Sequence, residues 1–325
     1  MNSHAQKQET IIGQKGMSPQ SFSIKKVSDL GECRKLWERF SPKKTIWEDW
    51  DVVSCFYSPA HHVPEFLAIM DGEGEVSGVL PFWKELAFNE YCFYGGYYLE
   101  NMGFWFGAED FPEIFEAIPP STLLFDVNGK AAEQVIKLHP EYGKNFSHED
   151  FRYFLNLKKI GYSLDNHLNS FSKKHRKNFL HDIRKLSELG CGVEWSGKLV
   201  NYEHFLKFNV ERFGKDSNLA DPLFASQTRD MLSLFEKRGK LFACSAVIDG
   251  RVVGVEYAVL HNGVYYLVNG GYDKEHPNVG KLLVNEQINN AIGQKADEVD
   301  AMAGDSGWKQ LWNLEKEPYY EFKKN

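Results

Sequence analysis

The stretch Leu241–Lys281, LFACSAVIDGRVVGVEYAVLHNGVYYLVNGGYDKEHPNVGK, holds three apolar runs separated by Asp249-Gly250 and Asn262-Gly263. Asp-Gly and Asn-Gly between alternating runs are the strongest short-range hairpin signals, because both residues tolerate the positive φ that a tight turn demands. Leu241–Ile248, Arg251–Leu260 and Val264–Asn269 therefore read as three consecutive antiparallel strands. With those turns Ile248 faces Arg251, His261 faces Val264, and Ala243, Glu256 and Asn269 form one row across the strands. Side chains alternate, so Gly254 and Ala258 share the Glu256 face, while Val253, Val255, Tyr257 and Val259 make a greasy opposite face. Gly270-Gly271 is expected to break the third strand and splay it from its neighbour. A polar loop, Tyr272 to Gly280, follows, and Lys281–Gln294 has helical spacing.

Working outward, Val299–Ala303 and Tyr319–Lys323 read as the last strands. Upstream, Ser172 and Gly190 bracket a helix as N-cap and C-cap, and Tyr202–Phe213 and Pro222–Lys237 form two more helices. The first half gives a strand at Phe22–Val27, a helix at Leu30–Phe40 and a helical segment carrying Trp47, Trp50, Val53 and Phe56. Pro64–Met70 and Val76–Trp83 make a hairpin around Asp71-Gly72-Glu73-Gly74, and an aromatic strand, Tyr91–Tyr94, ends at Gly95-Gly96. A connector over 145–163 carries one strand, Tyr153–Leu157.

The two halves repeat one order of helices, hairpin and further strand. The expected fold is α/β (α+β), with two tandem domains, each a mixed, mainly antiparallel twisted sheet flanked by helices. A disordered tail over 1–20, a first domain over 21–150 that is either intact or degenerate, and a second over 151–325 that holds the donor site are expected; 325 residues suit two cores better than one.

Composition narrows the function classes. Nothing approaches the roughly 18 to 20 apolar residues of a membrane span, and the polar start lacks a signal peptide, so a soluble, cytoplasmic protein is expected. The five cysteines, Cys33, Cys55, Cys92, Cys191 and Cys244, have no metal or redox spacing and read as reduced core residues. His61-His62 does not match a ligand motif either, so no metal is expected. A net charge of −7 argues against broad attraction to nucleic acid or anionic lipid. A local basic patch at Lys173–Lys177 stands apart from that total.

Glu256 is the residue that points to chemistry. A carboxylate among small residues in a central strand is costly to bury unless it is paired or used. Pairing with Asn269 or a nearby Lys is the plain alternative to its use as a general base, which amine acylation requires. The loop Tyr272–Lys281 adds a glycine, Gly280, at a helix start, where backbone N–H groups and the helix dipole favour a pyrophosphate, with Lys281 as a further mobile charge. Against that stands an ordinary strand-to-helix loop.

The order of strands, the Gly270-Gly271-Tyr272-Asp273 exit, Asn278-Val279-Gly280 before a helix, and Gly304-Asp305-Ser306-Gly307-Trp308-Lys309-Gln310-Leu311-Trp312 resemble the GNAT acyltransferase superfamily. More narrowly, Gly78-Val79-Leu80-Pro81-Phe82 and Ser172-Lys173-Lys174-His175-Arg176-Lys177-Asn178 resemble its CelD-like subgroup, associated with cellulose and polysaccharide biosynthesis. FemAB-like relatives, which pair two GNAT folds, are similar in the same way. The resemblance spans about Phe22 to Lys323 and is specific only in the second half. It implies an N-acyltransferase that moves an acyl group from acyl-CoA or an acyl carrier protein to a primary amine on a small molecule or peptide. Glu256, or a water it holds, would be the base, with Asn269 and Lys309 beside it. It implies donor contacts at Val268, Gly270, Gly271, Tyr272, Asn278, Val279, Gly280 and Lys281, and acceptor contacts at Arg176, Asp305 and Trp308.

Several positions leave alternatives open. GNAT pyrophosphate loops carry an Arg and two close glycines, whereas this loop has Gly280 and Lys281, which admits a longer acyl-CoA, a carrier protein or an aminoacyl-tRNA. Arg176 projects by the apolar edge of its helix and needs a carboxylate or an anionic ligand. Lys309 either extends outward between two core Trp residues or meets charge on the reacting carbonyl or a phosphate. The alternatives in function are a FemAB-like aminoacyl-tRNA-dependent transferase, with tRNA or carrier protein at Lys173–Lys177, and a catalytically inactive scaffold of the same fold.

Overall fold

The structure, a computed structural model, describes residues 23–304 and 307–325. The first half contains β1 (Ser23–Val27), α1 (Leu30–Phe40), α2 (Trp50–Ser54), β2 (His62–Met70), β3 (Val76–Glu85), β4 (Glu90–Phe93), α3 (Phe111–Ala117), β5 (Thr122–Asn128), α4 (Gly129–Leu138) and β6 (Phe146–Asn156). Two helices, α5 (Leu164–Asn169) and α6 (Lys173–Glu188), lead to the second half. That half contains β7 (Gly192–Ser196), α7 (Tyr202–Phe213), α8 (Pro222–Lys237), β8 (Leu241–Ile248), β9 (Arg251–His261), β10 (Val264–Tyr272), α9 (Val279–Gly293), β11 (Glu298–Asp300) and β12 (Glu315–Lys324).

The helix ends follow from local chemistry. Ser172 accepts the His175 N–H at the start of α6, and Gly190, at φ 73°, follows its last turn. Asp221 caps α8, whose first residue is Pro222, where the missing N–H costs nothing. The segment around Trp47–Phe56 is shorter than its apolar spacing suggests. Asp49 accepts two N–H groups and starts a new, five-residue helix there.

Among the described residues all strands join one sheet, in the order β1-β2-β3-β4-β5-β12-β6-β11-β10-β9-β8-β7. The order is symmetric about the β12–β6 pair. Each half keeps five strands, with a parallel fourth-to-fifth pairing (β4–β5 and β10–β11), and receives its sixth from the other half. β12 lies against β5, and β6 lies against β11. The expected division at 150/151 therefore falls within an exchanged strand.

Arg152 fastens the exchange. From β6, and buried, it donates to Asp300 (Nε to Oδ2, 2.8 Å) and Glu298 on β11, and to Glu317 on β12 (3.4 Å). The apolar core lies on both faces of the sheet. Trp37, Trp50, Phe66 and Tyr94 form an aromatic cluster in the first half, and Val255, Tyr257 and Val259 join the same core under α7. Cys33, Cys92 and Cys244 are buried with free thiols. Among the described residues no helix is long and apolar enough to cross a membrane.

Candidate active site

The central feature is a parting of two parallel strands. β10 and β11 pair over three residues only, Val264–Tyr266 against Glu298–Asp300, and then diverge. β10 continues beside β9 as far as Tyr272, so Gly270-Gly271 does not break the strand. The parting comes earlier and is caused by the other lip. Asp300 takes the Met302 N–H on Oδ1 (2.8 Å), Met302 turns to φ 66°, and Arg152 holds the opposite carboxylate oxygen. The strand expected over Val299–Ala303 thus ends at Asp300. Between Leu267–Gly270 on one lip and Ala301–Gly304 on the other opens a cavity of about 850 Å3.

The two glycines have separate reasons. A side chain on Gly271 would meet the Phe205 carbonyl oxygen at 2.7 Å, where α7 crosses the sheet. A Cβ on Gly270 would stand 1.9 Å from Glu256 Oε2.

The tight turns pair as expected, Ile248 with Arg251 and Val264 with His261, but the row across the strands differs. Glu256 lies between Cys244 and Gly270, whereas Ala243 and Asn269 both pair with Tyr257. A bulge in each ladder, at Ala246/Val247 and at Leu267/Asn269, adds one residue and shifts the register by one. The face assignment survives next to Glu256. Gly254 lies under Val279 of α9 and Ala258 packs with Val284 and Ile288, while Tyr257 meets Phe205 of α7.

Glu256 is 9% exposed and lines the cavity. Burial pushes its carboxyl up to about 8, opposed by the charge of Arg212. Among the described residues no hydrogen bond or ion pair to the carboxylate occurs, so pairing with Asn269 or a lysine is not its role. Arg212 lies over the Tyr272 ring, 4.6 Å from its centre, on the same cavity wall.

The donor loop differs in detail from its expected form. Asn278 adopts left-handed φ 71° and α9 begins at Val279, two residues before the expected start. Gly280 is required by packing: a Cβ there would lie 2.5 Å from the Tyr272 ring. Val279 is fully buried beneath Gly254, while Tyr272, Asn278, Gly280 and Lys281 face the cavity. Lys281 is not a mobile charge; it pairs with Asp182 of α6 at 2.5 Å. The first turn of α9 carries no acidic residue, so its N–H groups and dipole face the cavity unopposed.

Lys309 does not extend outward. It is 4% exposed and donates to the carbonyls of Met302 (2.8 Å) and Ala303 (2.5 Å), holding the second lip. Trp308 lines the same cavity. Arg176 lies outside it, and its partner is the Asn169 amide oxygen rather than a carboxylate. Asp305 lies outside the described residues.

The first half adds residues that the sequence reading missed. Tyr97, Tyr98, Glu100 and Asp126 line the cavity opposite Glu256's half. Asp126 interrupts the apolar run Leu123–Val127 in β5, an acid within a strand like Glu256 in β9 but with large rather than small neighbours. Burial raises the Asp126 carboxyl to about 7, with Glu149 and Asp150 adding repulsion. Glu100 is raised well above the usual range by burial and by Asp126 and Asp300, despite the Ala303 N–H it accepts at 2.6 Å.

Residues 173–310 match the family "acetyltransferase (GNAT) domain". No curated protein matches the chain. Among solved structures, FemX is similar with a TM-score of 0.57 at 11% identity, over 90% of this chain and 96% of that one. A tandem GNAT protein from the clavulanic acid biosynthesis pathway is similar with a TM-score of 0.51 at 11% identity, over 93% and 97%. The carboxy-terminal domain of a lysylphosphatidylglycerol synthetase from Agrobacterium fabrum gives 0.50 at 6% identity, over 91% and 92%. At these identities the likeness is one of fold, and that fold is two GNAT units in tandem.

Proposed function

We propose that this chain, whose residues 173–310 match an acetyltransferase (GNAT) domain and whose fold is that of tandem GNAT proteins, moves an acyl group from an acyl thioester to a primary amine. The observation that carries this reading is Glu256, a buried carboxyl with no partner among the described residues, beside the parting of β10 and β11. An amine binds as its ammonium and must lose a proton before it can attack. A carboxylate whose pKa lies near 8 accepts that proton directly or through one water, and is better matched to the task than an ordinary, weakly basic carboxylate.

The residues present fit an acyl-CoA. The apolar lip Leu267–Val268 and the small residues of Ala301–Gly304 leave a slot for an extended arm, and the α9 N-terminus faces the same cavity with no competing acid. Bound there, a thioester would supply the electrophilic carbonyl, to which the amine nitrogen bonds as the C–S bond breaks and the thiol leaves. Glu256 takes the proton, Gly270 leaves room for its carboxylate, and Lys309 holds the Met302–Ala303 lip in place. Val268, extruded at the bulge, frees backbone groups on the cavity side of β10. In the first half the start of α3 is less suited to a phosphate, since Glu109 and Asp110 precede it and Glu113 lies in its first turn.

One observation favours a macromolecular donor. Lys173, Lys174 and Lys177 are exposed at the start of α6, the helix whose Phe179 reaches the cavity. An aminoacyl-tRNA or an acyl carrier protein would meet that patch with its phosphates or acidic face. Thermal shift of the whole chain with several acyl-CoAs tests the leading reading: a rise in melting temperature supports it. If only charged tRNA at low salt raises it, and changing the three lysines abolishes that rise, the aminoacyltransferase reading stands instead. No shift with CoA, carrier or tRNA leaves an inactive scaffold.

A further inference from the structure

We propose that the acceptor carries a second cationic group, received by Glu100 and Asp126 of the first half while its reacting amine lies at Glu256. This rests on the acyltransfer reading above and names the class of acceptor that site would take.

Three observations converge. First, the acidic groups and Glu256 line one continuous cavity, although they come from different halves of the chain. Glu100 follows β4 and is pinned at the lip by the Ala303 N–H; Asp126 sits in β5. Second, the acidic groups there outnumber the cations that act on them among the described residues. Glu149 and Asp150 of β6 repel Asp126 further, Asp300 repels Glu100, and among the described residues Lys309 is the one cation that acts on both. Both carboxyls remain raised despite Lys309, and among the described residues the Asp126 carboxylate has no hydrogen bond or ion pair. Third, Glu256 is nine-tenths buried, unpartnered and faces the same space. A buried carboxyl with no protein partner is a cost that a cationic ligand removes. A second place in the same cavity, the half-buried pair Glu100 and Asp126 with a single backbone N–H between them, suits a diamine better than a lone amine.

The geometry also fixes a side effect. A cation arriving at groups held neutral by burial and mutual repulsion favours their ionised forms, so binding should expel protons.

Calorimetric titration of the full chain with putrescine and cadaverine, against butylamine and pentylamine, tests the proposal. The diamines should bind at least about tenfold more tightly than the matching monoamines, since a charge-assisted contact at a buried carboxylate is worth that much. Their binding heat should vary with the ionisation heat of the buffer, reporting proton release. Glu100→Gln keeps the Ala303 bond and Asp126→Asn is nearly isosteric, so each should fold, and each should narrow the diamine margin. Equal binding of diamines and monoamines, no binding of either, or an unchanged margin in both variants overturns the proposal. The acyl-CoA thermal shift is read on the parent chain without any amine, so acyltransfer can stand while the dicationic acceptor falls. Diamine binding with no thioester binding would sink the acyltransfer reading instead.

Discussion

The missing side chain of Gly270 is the space that the Glu256 carboxylate occupies: a Cβ there would stand 1.9 Å from Oε2. The two residues are direct partners across β9 and β10. Gly270→Ala must therefore push Glu256 out of its place or bend β10. The expected result is at least about a tenfold fall in turnover, part of the 10²–10⁴-fold a positioned base supplies, with thioester affinity nearly intact. Steady-state kinetics with a direct binding measurement separates the two.

Glu256 should also make the protein's stability depend on pH. Its folded carboxyl is raised to about 8, above the value near 4.5 of an exposed Glu. The folded state thus holds the proton where the unfolded chain has lost it, so stability falls as pH rises between those values. Glu256→Gln removes the penalty. The variant should outlast the parent at pH 8 by on the order of 3 kcal/mol and match it near pH 4.5, as denaturant titrations at the two pH values would reveal.

Arg152 joins the halves through Asp300, Glu298 and Glu317, all within the exchanged-strand region. Removing the guanidinium leaves buried carboxylates unpaired, which costs about 3–5 kcal/mol. Arg152→Ala should lower the unfolding free energy by that order. Because Asp300 turns the second lip, thioester binding should weaken as well. A stable variant with unaltered donor affinity would show that the lip is held by other contacts.

Lys281 is engaged by Asp182, 2.5 Å away. Its contribution to a bound phosphate is accordingly expected to be small. Lys281→Ala should weaken CoA binding only a few-fold, and Asp182→Asn, which frees the ammonium, should strengthen it by about the same factor. Calorimetry with CoA measures both.

Much of the second half was legible because local signals there agree with tertiary structure. The Asp249-Gly250 and Asn262-Gly263 turns, the Ser172 cap, and α7 and α8 all appear where spacing and capping put them. The register did not, since a bulge at Ala246/Val247 or Leu267/Asn269 leaves no mark in the alternation of side chains. β7, α3, β5 and α4 also escaped. β7 is mostly exposed, and over 97–145 the aromatic residues blur any single period. The exchange of β6 and β12 was invisible for a different reason: β12 pairs with β5 about 190 to 200 residues away and β6 with β11 about 140 to 150 away, and pairing at such separations is set by the whole sheet, not by either segment. Glu256 was found as an acid among small residues in a central strand, whereas Asp126, between Phe125 and Val127, lacks the small neighbours of that pattern.

Turnover of Glu256→Gln tests the central claim most directly. With an acyl-CoA that raises the melting temperature of both proteins, amine-dependent release of free thiol is measured for parent and variant. The account predicts a loss of about a hundredfold or more in kcat with the donor-induced thermal shift preserved. Equal thiol release by the two proteins would contradict it and remove Glu256 from the chemistry.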